Sequence, residues 1–289
     1  MSAVAATGPV PGLEDIAALA EARAKRRRVQ VFGARILVLL AIFVPWEVGA
    51  RTGYLDVLFY GQPSLIVERL WDWSVNGTFL GNLYYQVWVT LSEAMMGLAV
   101  GMVAGIFVGV ALGQSTFLAD VFAPFIKAVN AMPRIVLGAL YALWFGLDTT
   151  PKVMLAATLV FFVVYFNAFQ GVRNVDPNFI ANARIQGASR LQVIQHVILP
   201  SALTWIIASL HVAIGLSITG AIVGEFIGAT DGLGVIIGYA KNTLDSNGLF
   251  GAMIIIGLLA LVVEEVTNIF ENRLLAWKPP AGGAGAKSV

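Results

Sequence analysis

Long apolar stretches alternate with short polar ones along most of this chain. Six of them, Phe32–Ala50, Val87–Leu112, Ile126–Phe145, Val153–Val172, Leu199–Ile227 and Leu249–Phe270, are about as long as a membrane-crossing helix. A hydrocarbon core roughly 30 Å thick requires about 20 apolar residues at 1.5 Å each. Lys127, Pro133 and Arg134 interrupt the start of the third stretch. An alternative there is an interfacial helix over Phe117–Asn130 followed by a span that begins near Pro133. The fifth stretch is longer than a bilayer needs and is expected to bend or tilt. Between the fourth and fifth lies a polar stretch, 173–198, that is too long and too patterned for a passive connector. Its central part, Phe179–Val193, predicts two short helical pieces that meet at Gly187, and Pro200 suits the first turn of the helix that follows.

Composition agrees with this pattern. Hydrophobic residues are 58% and charged residues 12% of the 289, against roughly 45–50% and about 25% in soluble domains. So few charges cannot cover the surface of a soluble fold of this size. The expectation is an all-α polytopic membrane protein with about six transmembrane helices. It divides into a basic N-terminal segment (1–31), a membrane domain (32–278) containing the loop 173–198, and a Gly/Ala-rich tail (279–289) expected to be disordered. The acidic residues Glu14, Asp15 and Glu21, with no apolar run before Phe32, argue against a cleavable signal peptide. The chain has no cysteine, which excludes disulfide and thiol chemistry.

Charge sets the expected orientation. With the amino terminus inside, Arg23, Lys25, Arg26, Arg27, Arg28 and Arg35 are cytoplasmic, as are the basic residues of the loop. In all, fourteen of the 18 lysines and arginines then lie inside. Both termini and the loop 173–198 are therefore expected in the cytoplasm. The basic segment Leu13–Val31 reads either as a topology anchor or as an amphipathic helix on anionic lipid.

Within the spans, Gly97, Gly101, Gly105, Gly109 and Gly113 form a ladder at four-residue steps. Small residues at this spacing let helix backbones approach closely. Because four residues turn a helix by about 400°, the ladder drifts around the axis, which predicts a helix crossing several neighbours within a bundle. Polar residues in spans are costly and mark candidate sites. Here they are Glu93, Asn167, His211, Ser217, Thr219, Glu225, Glu264 and Glu265. Glu225 precedes the glycine-rich turn Gly228–Gly234 and reads either as lining a pathway or as bracing that turn. His211 is expected to be a buried, hydrogen-bonded side chain.

The chemistry that is missing narrows the function. No HExxH, GxSxG or intramembrane aspartate pair is present, so a membrane enzyme has no visible apparatus. No GxxxxGK[ST] phosphate loop is present either, and Gly109–Thr116, the nearest stretch, lacks the lysine. A transporter of this kind couples to an ion gradient or borrows a motor, and the loop 173–198 is a suitable handle for a borrowed one.

The pattern Ala183-x3-Gly187-Ala188-x10-Leu199-Pro200 resembles the coupling-loop motif of ATP-binding-cassette importer permeases, with Val197 in place of isoleucine and Ala181-Asn182 in place of Glu-Ala. Pro133, Trp144-Phe145-Gly146, Asn167-x3-Gly171, Glu225-Phe-Ile-Gly-Ala-x-x-Gly232-Leu-Gly234 and Arg273-x3-Trp277 are similar to the nitrate/sulfonate/taurine branch. The resemblance covers roughly Thr90–Trp277 and implies the membrane domain of a type I ABC importer. It also implies a second copy of the permease (a homodimer), two cytoplasmic ATPase subunits that bind ATP-Mg, and an extracytoplasmic solute-binding protein. No nucleic acid, no cofactor on this chain and no catalysis are implied, and the location is the bacterial inner membrane. The ATPase-coupling loop would be carried by Ala183, Arg184, Gly187, Ala188, Ser189, Arg190, Leu191, Leu199 and Pro200. Candidates for the translocation pathway are Trp144, Asn167, Ser217, Thr219 and Glu225. The implied solute is a small organic anion such as a sulfonate, taurine or nitrate, with a pyrimidine vitamin precursor or an aromatic acid as alternatives. An ion-coupled carrier or channel acting without an ATPase is the competing class.

Overall fold

The structure, a computed structural model, describes residues 13–274, with side chains from Arg23 onward apart from those of 270, 272 and 274. The tail 279–289, Trp277 and residues 1–12 of the N-terminal segment lie outside the described residues. The described chain is nearly all helix: α1 (Leu13–Arg51), α2 (Val57–Tyr60), α3 (Pro63–Val75), α4 (Leu83–Gly113), α5 (Thr116–Asn130), α6 (Arg134–Phe145), α7 (Thr149–Arg173), α8 (Pro177–Ile185), α9 (Arg190–Val193), a π-turn (Ile194–Ile198), α10 (Leu199–Ile227), α11 (Leu233–Asn242) and α12 (Ser246–Leu274). The described residues form two compact units, 13–65 and 66–274. In the first unit the apolar span predicted over Phe32–Ala50 is the second half of α1, continuous with the basic turns before it. Glu47 closes this unit by accepting from Ser64 N (3.0 Å) and Ser64 Oγ (2.8 Å).

Among the described residues, five helical segments are long and apolar enough to cross a membrane: Arg23–Arg51, Leu83–Gly113, Thr149–Arg173, Arg190–Ile227 and Ser246–Ile269. The predicted third span is divided. Thr116–Asn130 and Arg134–Phe145 meet at an 87° bend, because Pro133 lacks an N–H and disfavours helical backbone at the residue before it. Ser115 caps the first of these helices by accepting from Leu118 N (3.3 Å). The twelve residues of α6 extend only about 18 Å, short of a full crossing. The bent pair nonetheless carries the chain back across the bundle, because α4 and α7 run parallel and α7 starts at the end where α4 starts.

That parallel pairing is the core of the second unit. A Cβ on Gly97 would overlap Ala156, one on Gly101 would fall 2.6 Å from Ala157 O, and one on Gly105 2.9 Å from Phe161 O. At Gly109 and Gly113 the nearest atoms are the Cβ carbons of Ala168 (2.7 Å) and Val172 (2.8 Å). All five glycines therefore meet one helix, α7, and not the several neighbours expected from the drift of the ladder. The partner advances by four residues for each glycine step, so α7 winds with the seam and the contact is kept along its whole length. On its other side α7 takes α10 antiparallel: Gly220 faces Ala156, Gly224 faces Lys152, and Gly171 faces Ala202. Ala94, Leu98, Val160, Val164, Ala213, Ile214, Ile218 and Ala221 fill the middle. Leu233 and Ile236 of α11 pack with Ala252 and Leu259 of α12 and with Trp73 and Leu83.

The long fifth span bends where it begins. Leu199 N–H reaches back five residues to Ile194 O, which widens the turn just before Pro200. Pro200 lacks an N–H, and its ring would clash with the His196 carbonyl in a regular α-turn. The α9–α10 region is thus one continuous rod, Arg190–Ile227, and not a helix that starts at Pro200.

Gly101→Ala and Gly215→Ala separate close packing from helix propensity. Gly101 has backbone at 2.6 Å from a would-be Cβ, whereas Gly215 has open space. Gly101→Ala is expected to cost about 1–3 kcal/mol through overpacking, and Gly215→Ala to be neutral or stabilising by up to about 1 kcal/mol. Unfolding of the purified variants in detergent checks both.

Candidate functional site

The α7 helix carries a different site at each end. At its C-terminal end is the loop that leads into α9. Asp176 caps α8 by accepting from Asn178 N (2.8 Å), and Pro177 occupies the first turn. The helix closes as Gln186 N donates to Asn182 O (3.1 Å), Gly187 N to Arg184 O (2.9 Å) and Ala188 N to Ala183 O (3.0 Å). Gly187 takes φ +85°, a conformation that costs side-chain-bearing residues about 1–2 kcal/mol. Ser189 then starts α9 with a capping box: its Oγ accepts from Gln192 N (3.4 Å) and its own N–H donates to Gln192 Oε1 (2.8 Å). The two-piece helical unit predicted around Gly187 is therefore built from local capping.

One face of this unit is fastened to the bundle. Ile180, Ala183, Ala188, Ile194 and Val197 pack on a cluster formed by Ala168, Val172, Val175, Val193, Ile198, Ala202 and Ile206. Ala183 and Ala188 thus use their small size inward, against α7 and α10. The outward face carries Phe179, Ile185 and Leu191, with Ile185 83% exposed, beside the exposed Arg184, Gly187, Ser189 and Arg190. Leu199 and Pro200 are half-buried at the base of α10. Sequence reasoning singled out the glycine and the basic residues but passed over Phe179 and Ile185. Their signal is two large apolar side chains in an otherwise polar stretch.

At the opposite end, α4, α7 and the α10–α11 turn enclose a polar centre. The first turn of α11 presents N–H groups that no helical carbonyl can satisfy. Gln86 Oε1 accepts from Gly232 N (2.6 Å), Thr90 Oγ1 from Leu233 N (2.9 Å), and Glu225 Oε2 from Gly234 N (2.6 Å). The hydroxyl of Thr90 in turn donates to Glu225 Oε1 (2.7 Å). Gly232 has φ +112°, and a Cβ there would overlap the Glu225 carboxyl, so this turn requires glycine. Glu225, with 1% of its surface exposed, holds the turn and complements the positive end of α11. Beside it lies a buried ion pair, Lys152 Nζ to Glu93 Oε1 at 3.2 Å. Two carboxyls therefore share this interior with one ammonium.

The other pathway candidates are scattered. Ser217 is buried and donates to Ile214 O (2.8 Å), Thr219 is exposed and donates to Gly215 O (2.8 Å), and Asn167 donates to Val163 O (2.9 Å). Each of these three bonds stays on its own helix. Trp144 lies exposed on α6 against the Phe145 edge. Glu264 and Glu265 are exposed. His211 is only half-buried, not buried as expected, and its Nε2 lies 2.7 Å from Glu271 Oε2, the hydrogen bond that was expected. The sequence singled out Glu93 and Glu225 separately. It did not indicate that Gln86, Thr90 and Lys152 complete their surroundings.

A bundle of long apolar helices, with a capped helical unit exposed at one end and a polar centre at the other, is the architecture of a multi-pass membrane transport component. Residues 101–276 match the family described as "Binding-protein-dependent transport system inner membrane component", and the chain belongs to it. The chain is 28% identical over 243 residues to the putative aliphatic sulfonates transport permease protein SsuC of Bacillus subtilis, covering 84% of this chain and 87% of that one. It is 29% identical over 242 residues to the riboflavin transport system permease protein RibX of Chloroflexus aurantiacus, covering 84% and 88%. Its fold is similar to that of a chain of the MetNI methionine ABC transporter solved in inward-facing conformations, with a TM-score of 0.59 at 18% identity over 68% of this chain and 96% of that chain. The type I ABC importer fold and the permease class expected from the sequence are thereby established.

The Lys152–Glu93 pair gives a direct test of the polar centre. Lys152→Met leaves Glu93 and Glu225 buried without their counter-charge and is expected to destabilise by roughly 3–5 kcal/mol. Adding Glu93→Gln is expected to restore more than half of the loss. A double-mutant cycle on thermal unfolding of the purified protein measures this.

Proposed function

We propose that this chain is the transmembrane subunit of an ATP-driven, binding-protein-dependent importer of a small organic solute. Two copies form the pathway between them. Each presses the unit around Gly187 into one of two cytoplasmic ATPase subunits, which bind ATP-Mg, while a solute-binding protein delivers cargo to the opposite face. The loop 173–198 and both termini are cytoplasmic, in agreement with the distribution of lysine and arginine.

One observation carries this reading. The loop presents Phe179, Ile185 and Leu191 outward next to Arg184 and Arg190, yet is fixed on its inner face to α7 and α10. An apolar patch rimmed by cations suits insertion into a protein groove. Its attachment to two long helices lets displacement of the unit become tilt of α10. The continuous rod from Arg190 to Ile227, 38 residues long, ends at the turn braced by Glu225, so a push at the loop reaches the polar centre along one helix. Glu225 acts here as a brace that keeps the far end of α10 rigid. Thr219 and Trp144, being exposed, are the pathway candidates that the second copy or the solute can reach. The relatives' names cover sulfonates and riboflavin.

Ile185→Asp places an unpaired charge at the centre of the patch. It is expected to lower co-purification of the ATPase and vesicle-reconstituted ATP hydrolysis by at least about tenfold, with membrane insertion unchanged. Gly187→Leu is expected to act similarly through the positive φ. If the purified permease, in liposomes free of any ATPase, accumulates solute on an ion gradient, the carrier reading replaces this one.

A further inference from the structure

At the end of the bundle opposite the loop, α4, the start of α7 and the α10–α11 turn surround a cavity of about 310 Å³, within the size range of small-molecule sites. Resting on the importer reading, we infer that this cavity takes a small organic cation, a protonated amine attached to a flat or apolar body. The solute class would then differ from the anion that the family resemblance implies.

The charges of the lining carry the argument. Glu93, Asp148 and Asp231 face the cavity together with Lys152, leaving two negative charges in excess. Lys152 is not available to hold an anion, since it is 4% exposed and engaged with Glu93 at 3.2 Å. Glu93 is 1% exposed and is paired with that same ammonium, so these two charges offset each other and the excess is that of the exposed Asp148 and the half-buried Asp231. Asp231 is held in place by neutral donors, accepting from Gln86 Nε2 (3.1 Å) and Thr230 Oγ1 (3.0 Å), so it is oriented without being neutralised. Asp148 stands at the start of α7 but makes no capping hydrogen bond to it.

The apolar part of the lining fits the same ligand. Tyr85 and Trp88 of α4 border the cavity and are more than half exposed. Aromatic faces beside carboxylates favour organic cations through their quadrupoles and through stacking. A sulfonate would meet two unbalanced carboxylates with no free cation to offset them.

The test is equilibrium binding of radiolabelled benzylamine to the assembled transporter in lipid nanodiscs without ATP, with benzenesulfonate as the size-matched anion. Saturable benzylamine binding is expected, with benzenesulfonate at least about tenfold weaker. Asp148→Asn with Asp231→Asn is expected to weaken benzylamine about tenfold or more, and Trp88→Leu to weaken it severalfold. Melting temperature and ATPase co-purification of the variants serve as controls for folding and assembly. If the double variant does not fold, the exposed Trp88→Leu variant alone decides the outcome. Absence of saturable amine binding, equal or tighter binding of benzenesulfonate, or amine affinity unmoved by the substitutions overturns the inference. Because the cavity and the loop lie at opposite ends of the bundle, the permease carrying Ile185→Asp should keep its amine binding even when it no longer retains the ATPase. Failure of the cation site and failure of the coupling loop are thus read separately.

Discussion

Backbone-to-backbone packing of α4 on α7 is the contact on which the rest of this protein depends. In lipid, apolar side chains gain nothing by leaving one hydrocarbon for another, so helices are held by dispersion at close range. Five glycines on one helix give that range along a full span, meeting alanines, valines and backbone of α7. With α10 seated on the other side through Gly171, Gly220 and Gly224, α7 becomes a fixed axis between two partners. The site at each of its ends inherits that rigidity.

The polar centre shows how the bundle accommodates irregular backbone. Between Ile227 and Leu233 the chain leaves the helix, and the freed N–H groups at the start of α11 need acceptors inside the protein. Gln86, Thr90 and Glu225 provide them from two different helices. This turn is therefore part of the α4–α7–α10 packing and not a surface loop resting on it. A side effect is that acidic groups gather where the chain faces a cavity, which is the basis of the cation site inferred above.

The loop end is built on a contrasting plan. Its two short helices owe their ends to local caps at Asp176 and Ser189 and to the positive φ of Gly187, and their orientation to a half-buried apolar face. Local chemistry fixes its shape and packing fixes its direction. The π-turn before Pro200 joins it to α10 without a break in the helix, which makes the unit a lever and not a tether in the reading proposed here.

The sequence by itself determined four of the membrane-spanning segments closely, the two-piece loop hinged at Gly187 and the family motifs, and it offered the break at Pro133 as one of two alternatives. Each of these is a property of a short window: length, hydropathy, a proline, a capping residue. Only the tertiary structure decided that the whole glycine ladder faces α7, that Ala183 and Ala188 point into the bundle, and that Phe179 and Ile185 point out. It also decided that Glu225 spends its oxygens on Thr90 and Gly234. The partners in these contacts lie up to 135 residues away. One helix's pattern records that a face is small or polar. Which neighbour covers that face is set by the crossing of helices, and no single window of the chain contains that information.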